Sequence, residues 1–526
     1  MIFRAKQSAV SAGQWGRKAL SLGIVLALAI GMGMQTALAD RKGHGDGHEN
    51  DDFETFTPFN RVARLPVVRD KYGAVDHPAT YAKAKAAALY LAEFVARYKD
   101  AEVLGEDVIL GTDWVLGGTS KTCRSTQTCS DEEISHAILG IPAPEPIDPN
   151  DPAYVEDGTI TPANTKKANV LDFCNEHYAK QALGVAPIVD DKTVVNGYSH
   201  TPALPCEVSI WNDDRHIYVD MLDPNAIFTL FFTDVLFSKD MKDPAFAEVL
   251  SALPPQVKSE IRAIILHAMA EFDPRMRAMD KQLGPEYESM EQVVAAVEAS
   301  PQESPYKHMS YTRVDGGEFT DADSKNVTQA IIDTMSIHGE EDQGTHPTVI
   351  DSDGNTLDSI LTPKSSWRSA RATPLTLPGL NHVIEACSPK FAKMAMSTGL
   401  YHVTALPCEI TVQILDQDGM DGKETLVVSY LDPHFMLGAL FADISEEEQQ
   451  AFADIPGSIM ADLQAIVWAA LTINSGIDLN DPVQISYDML PQHGFGHDND
   501  HDNDHDDDHD HDDDDDDDDD DDHDDD

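Results

Sequence analysis

The chain contains six cysteines. Four of them form two similarly placed pairs, Cys174 with Cys206 and Cys387 with Cys408. A structural disulfide within each pair would close a loop and stabilise its domain by about 3–4 kcal/mol. The alternative is a redox or sulfur-handling pair. In that case Cys174 and Cys387, at helix starts, would be the attacking thiolates, and the other two cysteines would resolve the mixed disulfide.

The remaining cysteines, Cys123 and Cys129, have only five residues between them, in a stretch rich in Gly, Pro, Asp and Thr. In an exported chain such a pair predicts a local disulfide. The absence of a Cys-x-x-Cys motif counts against a thioredoxin-like role. No catalytic-triad, phosphate-loop or dinucleotide motif is present either, so the sequence favours a non-enzymatic protein; it indicates no certain cofactor, and zinc, nickel or copper are the possible ones.

Histidine recurs among aspartates near the C-terminus, first at every fourth position. The histidines predicted to bind metal there are His493, His497, His501, His505, His509 and His511. Imidazoles amid carboxylates bind zinc, nickel or copper weakly; the alternative is a solvated polyanion that happens to contain histidine. Weaker metal candidates are His44 and His48 near the N-terminus, and His200 and His402. Each of the last two precedes a strand cysteine by six residues and would add a third ligand to a cysteine pair.

The segments predicted to position these residues occur twice in the sequence. Three segments recur in the same order, which indicates a tandem duplication. The matched segments begin at Cys174 and Cys387, at His200 and His402, and at Met221 and Tyr430. Each copy predicts a short strand, a helix entered at the first cysteine, a β-hairpin from the second cysteine, and a helix that starts at an Asp-Pro dipeptide.

These patterns predict an α+β fold of two tandem small domains, each a β-hairpin sheet with helices on one face. The first domain is predicted over residues 56–275, with an insertion at 112–166. The second is predicted over 280–480, with an insertion at 317–379. Gly, Pro and polar residues without periodicity fill the first insertion, and the second is of mixed character.

Both copies resemble the bacterial and archaeal family known as domain of unknown function 302. The residues that carry the resemblance are Cys174-Asn175, Leu204-Pro205-Cys206 and Asp223-Pro224, and in the second copy Ala386-Cys387-Ser388-Pro389, Leu406-Pro407-Cys408 and Asp432-Pro433. The resemblance implies a compact α+β domain with helices on one face and brings no established reaction. Glu207 and Glu409 depart from the pattern, because the family often has Asn there.

The ends of the chain predict export. Residues 1–39 have a basic start, an apolar run and an Ala-x-Ala site, which is typical of a signal peptide cut after Ala39. A flexible His/Asp leader is expected at 40–55 and a disordered His/Asp-rich tail at 491–526. We therefore expect a periplasmic or secreted protein with no membrane span after cleavage.

The net charge of −56 excludes nucleic acid and anionic lipid as favoured partners, because a surface of this sign repels both. The last 36 residues alone contain 22 Asp. Divalent metal ions are the partners that this composition predicts. The sequence favours an exported binding protein with a metal-interacting tail; the alternative is a thiol-dependent redox or sulfur-transfer protein that uses the paired cysteines.

Overall fold

The computed structural model describes fourteen stretches of the chain, one of them a single residue. They are residues 55–97, 114–116, 139–142, 167–183, 198–204, 206–233, 236, 244–301, 304–339, 368–377, 380–406, 408–415, 425–471 and 475–485. The signal peptide, the leader, the tail, Cys123, Cys129, His44 and His48 lie outside these residues. None of the helices in the described ranges has the length and apolar character of a membrane span.

Two antiparallel sheets form the centre of the described structure. The first sheet contains β1 (Phe59–Pro66), β2 (Trp114–Leu116), β3 (Leu139–Pro142), β4 (Lys167–Asn175), β5 (Cys206–Asn212), β6 (His216–Leu222) and β7 (Arg277–Leu283). The second contains β8 (Tyr306–Tyr311), β9 (Arg368–Leu377), β10 (Leu380–Cys387), β11 (Cys408–Leu415), β12 (Thr425–Leu431) and β13 (Val483–Ile485).

Ten α-helices and two 3₁₀ helices accompany the sheets in the described residues. The α-helices are α1 (His77–Arg97), α2 (Glu176–Ala182), α3 (Pro224–Phe231), α4 (Pro244–Phe272), α5 (Met290–Glu298), α6 (Asp321–Gly339), α7 (Pro389–Thr398), α8 (Pro433–Leu440), α9 (Glu446–Phe452) and α10 (Ile455–Ala469). The 3₁₀ helices are η1 (Tyr198–Ala203) and η2 (Leu400–Ala405). The predicted α+β fold class is confirmed.

The two sheets share one strand order. The first runs β2-β4-β5-β6-β1-β7, with β3 also paired to β4, and the second runs β9-β10-β11-β12-β8-β13. In both, the hairpin after the second cysteine lies at the centre, and the first strand of the half lies beside the second hairpin strand. Each sheet is wider than the predicted hairpin, because β2, β3 and β9 come from the segments predicted as insertions.

Each hairpin has an apolar face that is buried by helices. Val208 pairs with Met221 and Ile210 with Val219, as the alternating pattern predicts. Each of these side chains is almost fully buried, which stabilises the fold by roughly 1.5–3 kcal/mol per side chain. Helices α1 and α4 pack against the first sheet, and α6 and α10 belong to the core of the second.

The opposite faces of the sheets bring the two halves together. Helix η2 of the second half packs on β4, β5 and β6, and η1 of the first half packs on β8, β11 and β12. Trp211 of the first sheet shares one apolar cluster with Ala392, Met396 and Val403 of the second half. The contact is reciprocal, because each half places its 3₁₀ helix on the sheet of the other half.

The helix that follows each hairpin starts where an Asp-Pro dipeptide predicts it. Asp223 caps α3 by accepting a hydrogen bond from the backbone N–H of Asn225, at 3.1 Å. Asp432 caps α8 in the same way through the N–H of His434, at 3.0 Å. Proline is favourable as the next residue because the first helical N–H needs no partner within the helix.

Candidate functional site

The two cysteine pairs occupy matching positions at the end of one strand and the start of the next. Phe173 pairs with Cys206 between β4 and β5, which places Cys174 one residue beyond that pair. Ala386 pairs with Cys408 between β10 and β11, and Cys387 is again one residue beyond. In each half, therefore, the fold brings the two predicted partners together at the same corner of the sheet.

The first cysteine of each pair belongs to a strand and not to a helix, which corrects the predicted helix start. Asn175 is the N-cap of α2, and its side chain accepts hydrogen bonds from the N–H groups of His177 and Tyr178 at 3.0 and 3.1 Å. Ser388 is the N-cap of α7, where its side chain makes no capping hydrogen bond and Pro389 is the first helical residue. In both halves the N-cap follows the cysteine, so Cys174 and Cys387 remain at the strand ends.

The second cysteine of each pair has a poorly ionisable thiol. Burial, with a smaller contribution from the neighbouring Cys387, raises the pKa of Cys408 to about 12. Burial, with a contribution from Cys174, likewise raises the pKa of Cys206 well above its usual value. When reduced, Cys206 and Cys408 are therefore protonated at neutral pH, and a thiol is a much weaker nucleophile than a thiolate.

No disulfide joins the four cysteines within the described residues. The predicted bonds from Cys174 to Cys206 and from Cys387 to Cys408 stay predictions, and the strand register places each pair as neighbours. The predicted bond between Cys123 and Cys129 concerns residues outside the described ranges.

A cavity of about 90 Å³ lies beside the second cysteine pair. It is lined by α7, α8, the start of α10 and the ends of β10 and β12, and it is partly open to the surface. Its wall is almost entirely apolar and includes Cys387, Cys408, Phe391, Leu431, Met436 and Phe441, with Ser388 and Thr398 as the hydroxyl-bearing residues. Such a volume is large enough for a small apolar molecule, and the apolar wall offers water few hydrogen-bonding partners.

The histidines of the two 3₁₀ helices are buried at the contact between the halves. His200 stacks on Phe232 of its own half, with ring centroids 4.3 Å apart, and meets the edge of Tyr306 of the other half. His402 lies 4.4 Å from the ring of Phe441 and 5.7 Å from that of Phe59 in the other half. The matching arrangement shows that both histidines pack the contact.

The ring nitrogens of His402 face protein oxygen atoms. Nδ1 lies 2.7 Å from the hydroxyl of Thr398, and Nε2 lies 3.2 Å from a carboxylate oxygen of Asp443. In the part of the chain that the structure describes, no group of three or more His, Cys, Asp or Glu side chains could hold a metal ion. The metal role of His200 and His402 stays a prediction, and that of the tail histidines lies outside the described residues.

A group of buried acidic side chains follows the cysteines, and sequence reasoning did not identify it as a site. Asp172 pairs directly with Glu207, and Glu385 with Glu409, in the strand registers of the two sheets. All four residues are at most 4% exposed. One sequence feature could have indicated this group. Both copies have a glutamate directly after the strand cysteine, at the position where the sequence departs from the family pattern.

The fold and the site allow comparison with known proteins. Residues 375–461 match the family model described as Domain of unknown function DUF302. Every residue that lines the cavity lies within this DUF302 segment, as do Cys387 and Cys408. One copy is found, in the second half of the chain. No curated protein and no solved structure matches the chain.

Proposed function

We propose that this is a non-enzymatic binding protein that takes a small apolar ligand into the cavity of its DUF302 segment. The observation that carries this proposal is the cavity itself, which is lined almost entirely by apolar side chains and lies wholly within the matched segment. Binding sites for small molecules are typically concave and mostly apolar, with a few polar groups that fix orientation. Here the hydroxyl groups of Ser388 and Thr398 are the candidates for that role.

The pKa of one cysteine restricts which thiol could react. An attacking thiolate needs a lowered pKa, whereas burial and the neighbouring Cys387 raise the pKa of Cys408 to about 12, so Cys408 would not be the attacking residue. The thiol-dependent redox or sulfur-transfer function remains the second candidate, because both cysteines of the pair line the cavity and would contact its ligand. In this second function Cys387, whose place is at the end of β10, would have to be the attacking residue.

The finer features of the proposal concern the rest of the chain. The first half would be a second, diverged copy of the same domain, which the shared strand order supports. Disulfides would close each cysteine pair in an oxidising compartment, which the strand registers support. The protein would be exported, and its acidic tail would bind zinc, nickel or copper through histidines.

A binding titration with indole as the apolar probe tests the proposal in the full-length protein. Ala395 lines the cavity, so Ala395→Trp should fill it and reduce indole affinity by tenfold or more, an effect of about 1.4 kcal/mol. Ala295 is exposed on α5, so Ala295→Trp is the matched control and should bind like the parent. Equal affinity of all three proteins, or no heat and no change in melting temperature with indole, would refute a ligand in this cavity.

A further inference from the structure

One face of the first sheet has a group of positive charges, although the protein as a whole has a net charge of −56. Arg64 of β1 pairs directly with Arg277 of β7 and, on its other side, with Tyr218 of β6. Directly paired residues of antiparallel strands have their side chains on the same face, with about 5 Å between Cβ atoms. The two arginines are therefore cross-strand neighbours, an arrangement that is unfavourable for like charges.

Lys281 extends this group of charges along β7. It pairs directly with Arg61 of β1, whose guanidinium donates two hydrogen bonds to Asp220. The same guanidinium lies 3.8 Å from the centre of the Tyr218 ring, so the residues paired with Arg61 and those paired with Tyr218 share one face of the sheet. The charge of Arg61 is balanced by Asp220, whereas the charge of Lys281 adds to that of the two paired arginines.

The turn between β5 and β6 adds a further arginine at this end of the sheet. Burial is the largest cause that lowers the pKa of His216, and the positive charges of Arg64, Arg215 and Arg277 lower it as well. Asp213 acts in the opposite direction, and its carboxylate accepts hydrogen bonds from the backbone N–H groups of Arg215 and His216 at 2.7 Å. Three arginines thus lie close enough together to act on one histidine.

We call this surface the basic face; it consists of Arg64, Arg215, Arg277 and Lys281. Three of these side chains are exposed, and that of Arg64 is partly exposed. Within the described residues, none of the four forms a salt bridge with an acidic side chain, unlike the neighbouring Arg61. The basic face is therefore open to a negatively charged partner.

The chain itself contains a segment of the opposite charge. The acidic tail, residues 491–526, has 22 Asp and neither Lys nor Arg. Ile485 is the last described residue, and 41 residues follow it. Fully extended, they would span roughly 135 Å, which is several times the radius of a folded protein of this size. We propose that the acidic tail docks on the basic face of its own chain.

The covalent link favours the tail over any other polyanion. A segment tethered by a short linker has an effective concentration in the millimolar range. An external polyanion, in contrast, is repelled by the acidic surface of the rest of the protein. Single ion pairs at a surface are weak, and salt screens them over about 10 Å at 0.1 M. Docking should therefore depend on several charges together and should be lost at high salt.

Acetylation of Lys281 by acetic anhydride measures docking in the full-length protein. A docked tail covers the amine and favours its charged form, whereas only the neutral amine reacts. Mass spectrometry at low salt should show Lys281 reacting at least about threefold more slowly in the full-length protein than in a variant truncated after residue 490. Lys85, exposed on α1, is the internal control and should react equally in both proteins.

Charge variants and salt test where the tail docks. The double variant Arg64→Gln/Arg277→Gln should remove the difference at Lys281, whereas Lys71→Gln/Lys325→Gln, at exposed positions away from the basic face, should retain it. About 0.5 M NaCl should also remove it, because the screening length then falls to about 4 Å. Dilution of the protein should leave the difference unchanged, because both partners belong to one chain.

Four results would overturn this proposal. Equal acetylation of Lys281 in the full-length and truncated proteins at low salt would show that the tail does not cover the basic face. A difference that persists in Arg64→Gln/Arg277→Gln would place the tail elsewhere. Equal slowing at Lys85 would indicate only the general field of the tail, and a difference that disappears on dilution would assign the tail to a second copy of the chain.

Discussion

The hydroxyl oxygens of Ser209 and Thr404 lie 2.6 Å apart and join the first sheet to the 3₁₀ helix of the second half. Thr201 and Thr411 make the reciprocal contact at 3.1 Å, from the first 3₁₀ helix to the second sheet. Ser209 and Thr411 are equivalent, since each lies three residues after a strand cysteine. The two halves are thus built on one plan and are joined by matching polar contacts.

The buried ion pair of the first sheet should be essential to its stability. Arg61 donates two hydrogen bonds to Asp220, at 2.8 and 3.0 Å, and the indole N–H of Trp211 donates a third at 2.7 Å. Arg61→Leu leaves the Asp220 carboxylate buried without its cation, which should cost about 3–5 kcal/mol in urea unfolding. Arg215→Leu, at the exposed hairpin turn, is the control. A cost below about 1 kcal/mol for Arg61→Leu would contradict this role.

Asp443 should stabilise the protein above acidic pH. Burial alone would raise its pKa, but hydrogen bonds from His402 and Tyr401 outweigh burial and lower the pKa below the usual value. A lowered folded-state pKa gives stability that is present above the unfolded pKa, about 3.9, and is lost as the pH falls through the folded value. Asp443→Asn should therefore cost about 1 kcal/mol at pH 7.

The measurement for Asp443 is urea unfolding at two pH values. The difference between the parent and Asp443→Asn should shrink as the pH is lowered below the unfolded pKa of about 3.9 and towards the lower folded-state pKa. Asp454→Asn is the control, because the side chain of Asp454 makes no capping hydrogen bond. A difference that is the same at both pH values would show that the ionised carboxylate does not contribute.

A count of reactive thiols distinguishes the structural from the redox role of the cysteine pairs. If the predicted disulfides form, the protein purified under oxidising conditions should show no reactive thiol until it is denatured and reduced. Cys408→Ser should then lower the stability of the second half by about 3–4 kcal/mol. Pairs that open under mild reduction of the native protein would support the redox function, and unchanged melting of Cys408→Ser would exclude a structural bond.

The tail should bind zinc more tightly than calcium, and in a pH-dependent way. Neutral imidazole binds zinc, whereas calcium prefers oxygen and would associate only diffusely with the Asp run. The surrounding carboxylates favour protonated imidazole, so zinc binding should weaken from pH 8 to pH 5.5. Titration of the full-length protein and of a variant truncated after residue 490 separates the tail from other sites. Equal zinc binding by both proteins, or binding that is the same at both pH values, would leave the tail histidines without a role.

The parts of the fold that depend on local sequence could be predicted. The alternation of Val208 and Ile210 predicted the hairpin, and the Asp-Pro dipeptides predicted the starts of α3 and α8. Strand β2 could not be predicted, because three residues are too few for an alternating pattern to be recognised. Helix α6 could have been found, since Val327, Ile331 and Met335 recur at helical spacing and are buried.

The site itself depends on contacts between distant segments. The pairing of each strand cysteine with its upstream partner could be anticipated from the duplication, but the cavity exists only because α7, α8 and α10 pack around it. The burial of the acidic pairs Asp172–Glu207 and Glu385–Glu409 likewise depends on segments that are far apart in the chain.

The most direct test of the proposed function is a crystal of the full-length protein exposed to xenon under pressure. Xenon occupies apolar cavities that exclude water and reports their position directly. We expect a xenon atom inside the cavity, in contact with Phe391, Leu431 and Met436, and its loss in crystals of Ala395→Trp. Ordered water in the same space, or side chains that close it completely, would contradict a binding protein for a small apolar ligand.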